Sequence, residues 1–283
     1  MKNSSNIYRK ITKKYTKTFY YSTLFFPQDI RDKIFLLYSF VRIIDNFVDK
    51  KKPDKKNFFI YKNELRNFVE NNKVSKIKII NDFGKLVKEY NLKKEVYDYL
   101  LTQEKEIKIK KYKTFDDFLN FTYGVAGVIG IMIAKILKLP KNSYEYAKKL
   151  GQSLQIINNI RDIYEDSKIK KIYIPREVLN KFNLNHKNFL KKEKRKNLYL
   201  LINYFLNYAF KIQNEAKTYF KYFDKQILLP IKVATDLYKN IGLKISKNPE
   251  IIFNKSKVKP SKLEIFLIVI KNFILIYGFN KKN

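Results

Sequence analysis

The sequence contains no cysteine, which excludes disulfides, zinc–thiolate centres and thiol catalysis. It has one histidine, His186, in the polar stretch Asn183 to Asn188, where a solvated loop is expected. A Ser-His-Asp triad or a histidine metal site therefore has little to draw on. Any metal here would need oxygen ligands, which suit a hard cation such as Mg²⁺. The most apolar stretch, Ile265 to Phe279, is interrupted by Lys271 and Asn272 and is too short to span a bilayer comfortably. It is expected to form a C-terminal helix that is buried or touches a membrane. The first thirty residues are polar and charged, with no visible signal peptide, so a cytoplasmic location is expected, with peripheral membrane contact left open.

Acidic residues are scarce, 26 against 60 basic, for a net charge of +34. Such an excess can mark a nucleic-acid partner. Only 7 of the 60 basic residues are arginine, however, and the lysines spread over every segment. No arginine cluster with interleaved aromatics occurs. The excess reads as compositional drift, and no specific nucleic acid is expected as partner. Anionic substrates remain compatible with it.

Glycine and proline number seven each in 283 residues. With 45% apolar and 16% aromatic residues, the chain can bury a sizeable core. Apolar residues recur at helical spacing over Gln28 to Asp49, Tyr90 to Leu101, Phe115 to Leu137, Ser143 to Asp166 and Leu198 to Phe223, and a further helix is expected after Pro230. Breaks fall at Lys50 to Lys56, Leu139 to Asn142 and Tyr173 to Pro175, and Lys187 to Lys196 reads as a solvated connection. The expectation is one all-α domain over 1–283, of roughly ten helices, with 1–14 as a flexible N-terminus.

Two acidic pairs stand out within apolar helices: Asp45 with Asp49, and Asp162 with Asp166. A four-residue spacing places both carboxylates on one helix face. Such like charges repel by about 0.2–0.5 kcal/mol when exposed, and more when buried. Mg²⁺ would offset that repulsion, since it takes one or two carboxylates together with substrate phosphates. A single pair of this kind is usually a solvated helix face. Two pairs, each beside one of the few arginines, Arg42 and Arg161, are harder to set aside, because a diphosphate wants both a divalent cation and guanidinium donors.

Four of the seven glycines are Gly124, Gly127, Gly130 and Gly151, the first three on roughly one helical stripe. Glycine inside a helix costs about 1 kcal/mol relative to alanine. Either a thinned helix that passes a bulky apolar substrate or close helix–helix packing accounts for it.

Taken together these segments resemble the squalene/phytoene synthase family. Thr16-Lys17-Thr18-Phe19 is similar to its opening motif. Leu37 to Arg42 with Asp45 and Asp49 resembles its first aspartate motif, and Val125-Ala126-Gly127 with Gly130 its central glycine helix. Gln155, Asn158, Arg161, Asp162, Glu165 and Asp166, followed by Ile172 to Pro175, resemble its long second motif. The similarity covers roughly Tyr15 to Leu275. It implies an all-α isoprenoid synthase bundle with a central cavity. It also implies an Mg²⁺-dependent (or Mn²⁺-dependent) prenyltransferase that condenses prenyl diphosphates head to head, with Asp45, Asp49, Asp162 and Asp166 as catalytic residues. By resemblance, Asp45, Asp49, Asn158, Asp162 and Asp166 would hold metal. Tyr15, Thr16, Lys17, Thr18, Tyr38, Arg42, Gln155, Arg161 and Tyr238 would bind substrate.

The chain departs from the family pattern at Phe121, where tyrosine is usual, at Asn46, and at Glu106. Tyr123 faces elsewhere on the helix and does not simply replace the hydroxyl missing at Phe121. By the same resemblance, Thr23 and Phe35 would wall the tail end of the prenyl pocket. Thr23 is small and favours a longer tail, whereas Phe35 argues the other way. The expectation is geranylgeranyl diphosphate as substrate and phytoene as product, in carotenoid biosynthesis. A farnesyl diphosphate enzyme making squalene or dehydrosqualene, and a non-catalytic family member acting in assembly or binding, stay open as alternatives.

Overall fold

The computed structural model describes residues 2–108, 111–254 and 256–278. Thirteen α-helices occur among them. The chain opens with α1 (Lys2–Tyr15) and α2 (Lys17–Thr23), so the stretch expected to be loose over 1–14 is helical from Lys2. It is held by packing of α1 against α3 (Gln28–Val48). Tyr8 contributes a buried ring, and its hydroxyl donates to Asp82 at 2.6 Å. Pro27, whose fixed φ suits a helix start, precedes α3.

Besides α1, the sequence gives no expectation for α4 (Lys55–Asn71) and α5 (Lys78–Glu89), nor for a short helix after Pro175. The Asp54 carboxylate caps α4 by accepting from the Asn57 backbone N–H, and Asn72 ends it at φ 56°. The helix expected over Tyr90 to Leu101 is displaced. Tyr90 closes α5, Asn91 turns the chain at φ 52°, and α6 runs Lys93–Glu106.

A capping box of Thr114 and Asp117 starts α7 (Phe115–Thr122). It continues without a break through a π-helical turn, Tyr123–Gly127, into α8 (Val128–Ile136). Inserted π turns of this kind often occur at functional sites. The long central helix α9 (Tyr144–Lys168) packs on α7, the π turn and α8, and on its other side meets α11 (Arg195–Lys217) and α12 (Lys225–Lys247). The short α10 (Arg176–Lys181) follows the break expected over Tyr173 to Pro175. The helix anticipated after Pro230 begins earlier, at Lys225, and Pro230 lies inside α12, where it removes one backbone bond in the second turn. A second capping box, Ser261 with Glu264, starts α13 (Lys262–Tyr277), which lies on α12; Phe279 falls outside the described residues.

Two apolar clusters form the interior. One gathers α1 to α6 with α8, around Phe40, Phe58, Phe83 and Leu65. The other gathers α7, α9, α10, α11 and the end of α12, around Phe118, Ile157, Leu201 and Phe205. A cavity opens between the helices that join them. His186, expected to be solvated, is half-buried, with Nε2 3.2 Å from the Ile174 carbonyl oxygen, and burial lowers its pKa.

Candidate active site

Helices α8 and α9 approach closely because glycine stands at their contacts. A Cβ on Gly130 would lie 2.2 Å from the Ala147 carbonyl oxygen, and one on Gly151 would lie 2.3 Å from that of Ala126. The glycine stripe therefore serves helix packing, and Gly130 and Gly151 also line the cavity.

This cavity measures about 870 Å³. All fourteen residues expected to bind metal or substrate line it: Tyr15, Thr16, Lys17, Thr18, Tyr38, Arg42, Asp45, Asp49, Gln155, Asn158, Arg161, Asp162, Asp166 and Tyr238. They come from the junction of α1 and α2, from α3, from α9 and from α12. Much of the remaining wall is apolar, built by Phe26, Ile34, Ile133, Leu137 and Ile231 among others, with lysines including Lys171 and Lys257 at the charged end. Phe19 stacks on Tyr38 with ring centroids 5.2 Å apart, and both face the cavity.

The first acidic pair sits at the end of α3. Oδ1 of Asp45 accepts from the Tyr99 hydroxyl and from Gln103 Nε2, both at 2.7 Å. Burial, and then the neighbouring Asp49 charge, push the Asp45 carboxyl up to about 7. Asp49, at the helix end, accepts from Lys171 Nζ at 2.7 Å. In the second pair the Arg161 guanidinium forks onto both oxygens of Asp162, at 2.9 and 2.8 Å, and Lys257 approaches the same carboxylate at 3.0 Å. Although burial opposes it, Arg161 and Lys257 hold the Asp162 carboxyl below its ordinary value. The Asp166 carboxyl is pushed up to about 7, first by burial and then by the charges of Asp162 and Asp49. Asp49 and Asp166 line the same cavity, so the two acidic motifs share it.

Lys171, Lys257, Tyr99 and Gln103 were not singled out from the sequence. Only the lysine abundance hinted at the first two, and that abundance is too general to point at any one residue. The Arg42 guanidinium lies 4.6 Å from the Tyr15 ring centroid, and its buried Nε has no hydrogen-bond partner.

Phe35 corrects the expected pocket wall. It is fully buried, stacks on Tyr20 at 5.7 Å and does not line the cavity; its neighbour Ile34 does. Consecutive helical residues point about 100° apart, so only one of the two can face the cavity. Thr23 does line it, with its hydroxyl donating to the Phe19 carbonyl at 2.7 Å. Phe121 stacks on Tyr173 at 4.7 Å, and Tyr173 lines the cavity. Tyr123 turns away, its hydroxyl donating to Asp98 at 3.0 Å. Glu106 is buried and accepts from Tyr112.

Among the described residues, no three His, Cys, Asp or Glu side chains converge closely enough to hold a metal ion alone. A cation at this site would need further oxygen ligands, from a substrate's phosphates, water or the Asn158 amide, as is usual for Mg²⁺. The residues fit such an ion in their chemistry: all donors are oxygens, Asn158 Oδ1 is buried without a hydrogen-bond partner, and Asp45 and Asp166 lack sufficient countercharge.

Comparison with known proteins agrees with this geometry. The squalene/phytoene synthase family model matches residues 12–264. A 4,4'-diapophytoene synthase of Staphylococcus haemolyticus is 25% identical over 247 residues, covering 84% of this chain and 86% of that one. A 15-cis-phytoene synthase of Synechococcus elongatus is 24% identical, covering 89% and 87%. Among solved structures, a dehydrosqualene synthase crystallised with a ligand superposes with a TM-score of 0.86 at 22% identity, over 98% of both chains.

Proposed function

The chain belongs to the squalene/phytoene synthase family, and on that premise we propose that it joins two molecules of geranylgeranyl diphosphate head to head, giving phytoene by way of a cyclopropyl diphosphate. The observation that carries this reading is the gathering of fourteen motif residues, from distant parts of the chain, at one apolar cavity. Charged groups and apolar wall are both needed, because the substrate is a diphosphate with a long hydrocarbon tail.

Arg42, Arg161, Lys17, Tyr38, Gln155 and Tyr238 would bind and orient the diphosphates, guanidinium forks being suited to phosphate oxygens. Mg²⁺, held by Asp45, Asp49, Asn158, Asp162 and Asp166 with substrate oxygens, would supply charge that stabilises the diphosphate leaving group. The apolar wall keeps water from an allylic cation after the C–O bond breaks. The stacked rings of Phe19 and Tyr38 offer π faces to that cation. The second chain's double bond then attacks, and proton loss closes the cyclopropane. Phe121 supplies no hydroxyl for later proton handling, while Tyr173, stacked on it, brings a phenol to the cavity.

The twenty-carbon substrate is favoured by Thr23 on the cavity wall and by the withdrawal of Phe35 from it. The fifteen-carbon alternative draws on the similarity to a diapophytoene synthase. Incubation with labelled fifteen- and twenty-carbon diphosphates, with products weighed by mass spectrometry, decides between them. A forty-carbon hydrocarbon is expected; a thirty-carbon product would replace the phytoene reading, and no hydrocarbon at all would remove the condensation itself.

A further inference from the structure

Helix α13 is apolar on both sides. Its inner side, with Ile265, Ile268, Val269 and Ile276, packs on Leu229, Val233 and Leu237 of α12. Its outer side presents Leu263, Phe266, Leu267, Ile270, Phe273 and Ile274, each between 38% and 65% exposed. At 100° per residue these six fall in one arc of about 120°, with no charged residue inside it. Six large apolar side chains in one unbroken strip are more than the scattered exposure normal for a soluble surface.

The borders of the strip are basic. Lys262 and Lys271 stand exposed at its two edges. Lys225 lies near the helix end, 5.6 Å from the Tyr277 ring, and the exposed Lys259 precedes the helix start. The acids nearest the helix are mostly paired: Glu264 with Lys244 at 2.5 Å, and Asp236 with Lys217 at 3.4 Å while it accepts from Asn272 at 3.0 Å; the exposed Asp224 stands next to Lys225. An apolar strip with lysine borders suits the interface of a bilayer that carries anionic headgroups. A second copy of the chain fits worse, because it would bring another +34 charge against the same face. With 16 residues the helix is about 24 Å long, short of the roughly 30 Å hydrocarbon core, so it would lie in the plane of the surface.

We propose that the outer face of α13 docks this protein peripherally on anionic lipid bilayers, through Phe266, Ile270 and Phe273 flanked by lysines. The inference stands independently of the substrate assignment.

The test uses the full chain and vesicles of phosphatidylcholine alone or with phosphatidylserine. Flotation with the anionic vesicles is expected, about tenfold or more weaker on neutral ones. The combined variant Phe266→Gln, Ile270→Gln, Phe273→Gln should lose roughly a hundredfold in vesicle affinity while helical circular dichroism is retained. Because the chain has no tryptophan, Phe273→Trp provides a conservative single reporter. Its emission should shift to the blue on anionic vesicles, whereas that of Val74→Trp, in the exposed link between α4 and α5, should not. Failure to float, unchanged flotation of the triple variant, or an unmoved Phe273→Trp spectrum would each overturn the proposal. So would a concentration-dependent dimer in ultracentrifugation that the triple variant abolishes, since that would assign the face to a second copy.

Discussion

Lys171 and Asp49 stand 122 positions apart in the chain, and their side chains meet at 2.7 Å. The lysine is nearly buried and the carboxylate half exposed, so the pair closes one edge of the cavity. In the metal-free protein it offsets part of the repulsion between Asp49 and its neighbours Asp45 and Asp166. Lys171→Gln is expected to destabilise the metal-free protein by about 1 kcal/mol, the scale of a charge-assisted bond with one partly exposed partner. Saturating Mg²⁺ should shrink that loss, because a cation at Asp49 replaces the lysine. Equal denaturant midpoint shifts with and without Mg²⁺ would count against this role.

Asp45→Asn keeps the acceptor atom for Tyr99 and Gln103 and removes only the charge. Turnover should fall by on the order of 10²–10³ or more if this carboxylate helps to hold charge at the leaving group. Metal-free thermal stability above pH 7 should rise, since the buried charge of Asp45 and its repulsion with the half-exposed Asp49 both disappear. Product formation and melting temperature are read on the same preparation. Activity within about tenfold of wild type would remove Asp45 from the site.

Glu106 carries the pH prediction. Burial pushes its carboxyl up from 4.5 to about 7, even though it accepts a hydrogen bond from Tyr112. The folded protein then holds this proton across a window, about 4.5 to 7, in which the unfolded chain has released it. Stability from this group is therefore greatest on the acid side and falls as pH rises, by up to about 1.4 kcal/mol per pH unit. Asp45 and Asp166 act in the same direction. Glu106→Gln, which retains an acceptor for Tyr112, should flatten the slope by nearly one proton. Urea midpoints measured in chelator from pH 4.5 to 7.5 give that slope, and an unchanged value would mean that Glu106 is already ionised in the fold.

Thr23→Phe tests the tail pocket. A phenyl ring on the cavity wall should block the longer chain sterically, whereas a pocket distinguishes a single methylene by only about 1–3 kcal/mol. In competition between equal amounts of both diphosphates, the variant should turn toward the fifteen-carbon substrate. Phe35→Leu should leave the preference unchanged, because Phe35 packs on Tyr20 away from the cavity. A shift with Phe35→Leu and none with Thr23→Phe would reverse the assignment of the wall.

Local pattern made much of this protein legible. Helical spacing and the scarcity of glycine and proline imply an all-α fold, and four-residue spacing puts Asp45 with Asp49, and Asp162 with Asp166, on shared faces. These are properties of short stretches, and they survive without knowing what the helix meets. The α5 helix also has its signal, apolar residues at Ile79, Ile80, Phe83, Leu86 and Val87, but the lysines around it blur that period. Pro230 misled as to where α12 starts, because a proline marks a helix start only when nothing upstream stabilises the turn, and here Leu229 is buried beside it.

What the tertiary structure alone decided are the partners. With 53 lysines in the chain, no spacing distinguishes Lys171 and Lys257 from the rest. They become the cations of Asp49 and Asp162 only because packing carries the segments after α9 and α12 back to the cavity mouth. The choice between Ile34 and Phe35 as wall, and between two exposed sides of α13, likewise depends on which face a neighbouring helix covers. The sequence by itself determined which residues share a helix face; the packing of that face against distant segments determined what they touch, because contacts between remote parts of the chain have no local period to reveal them.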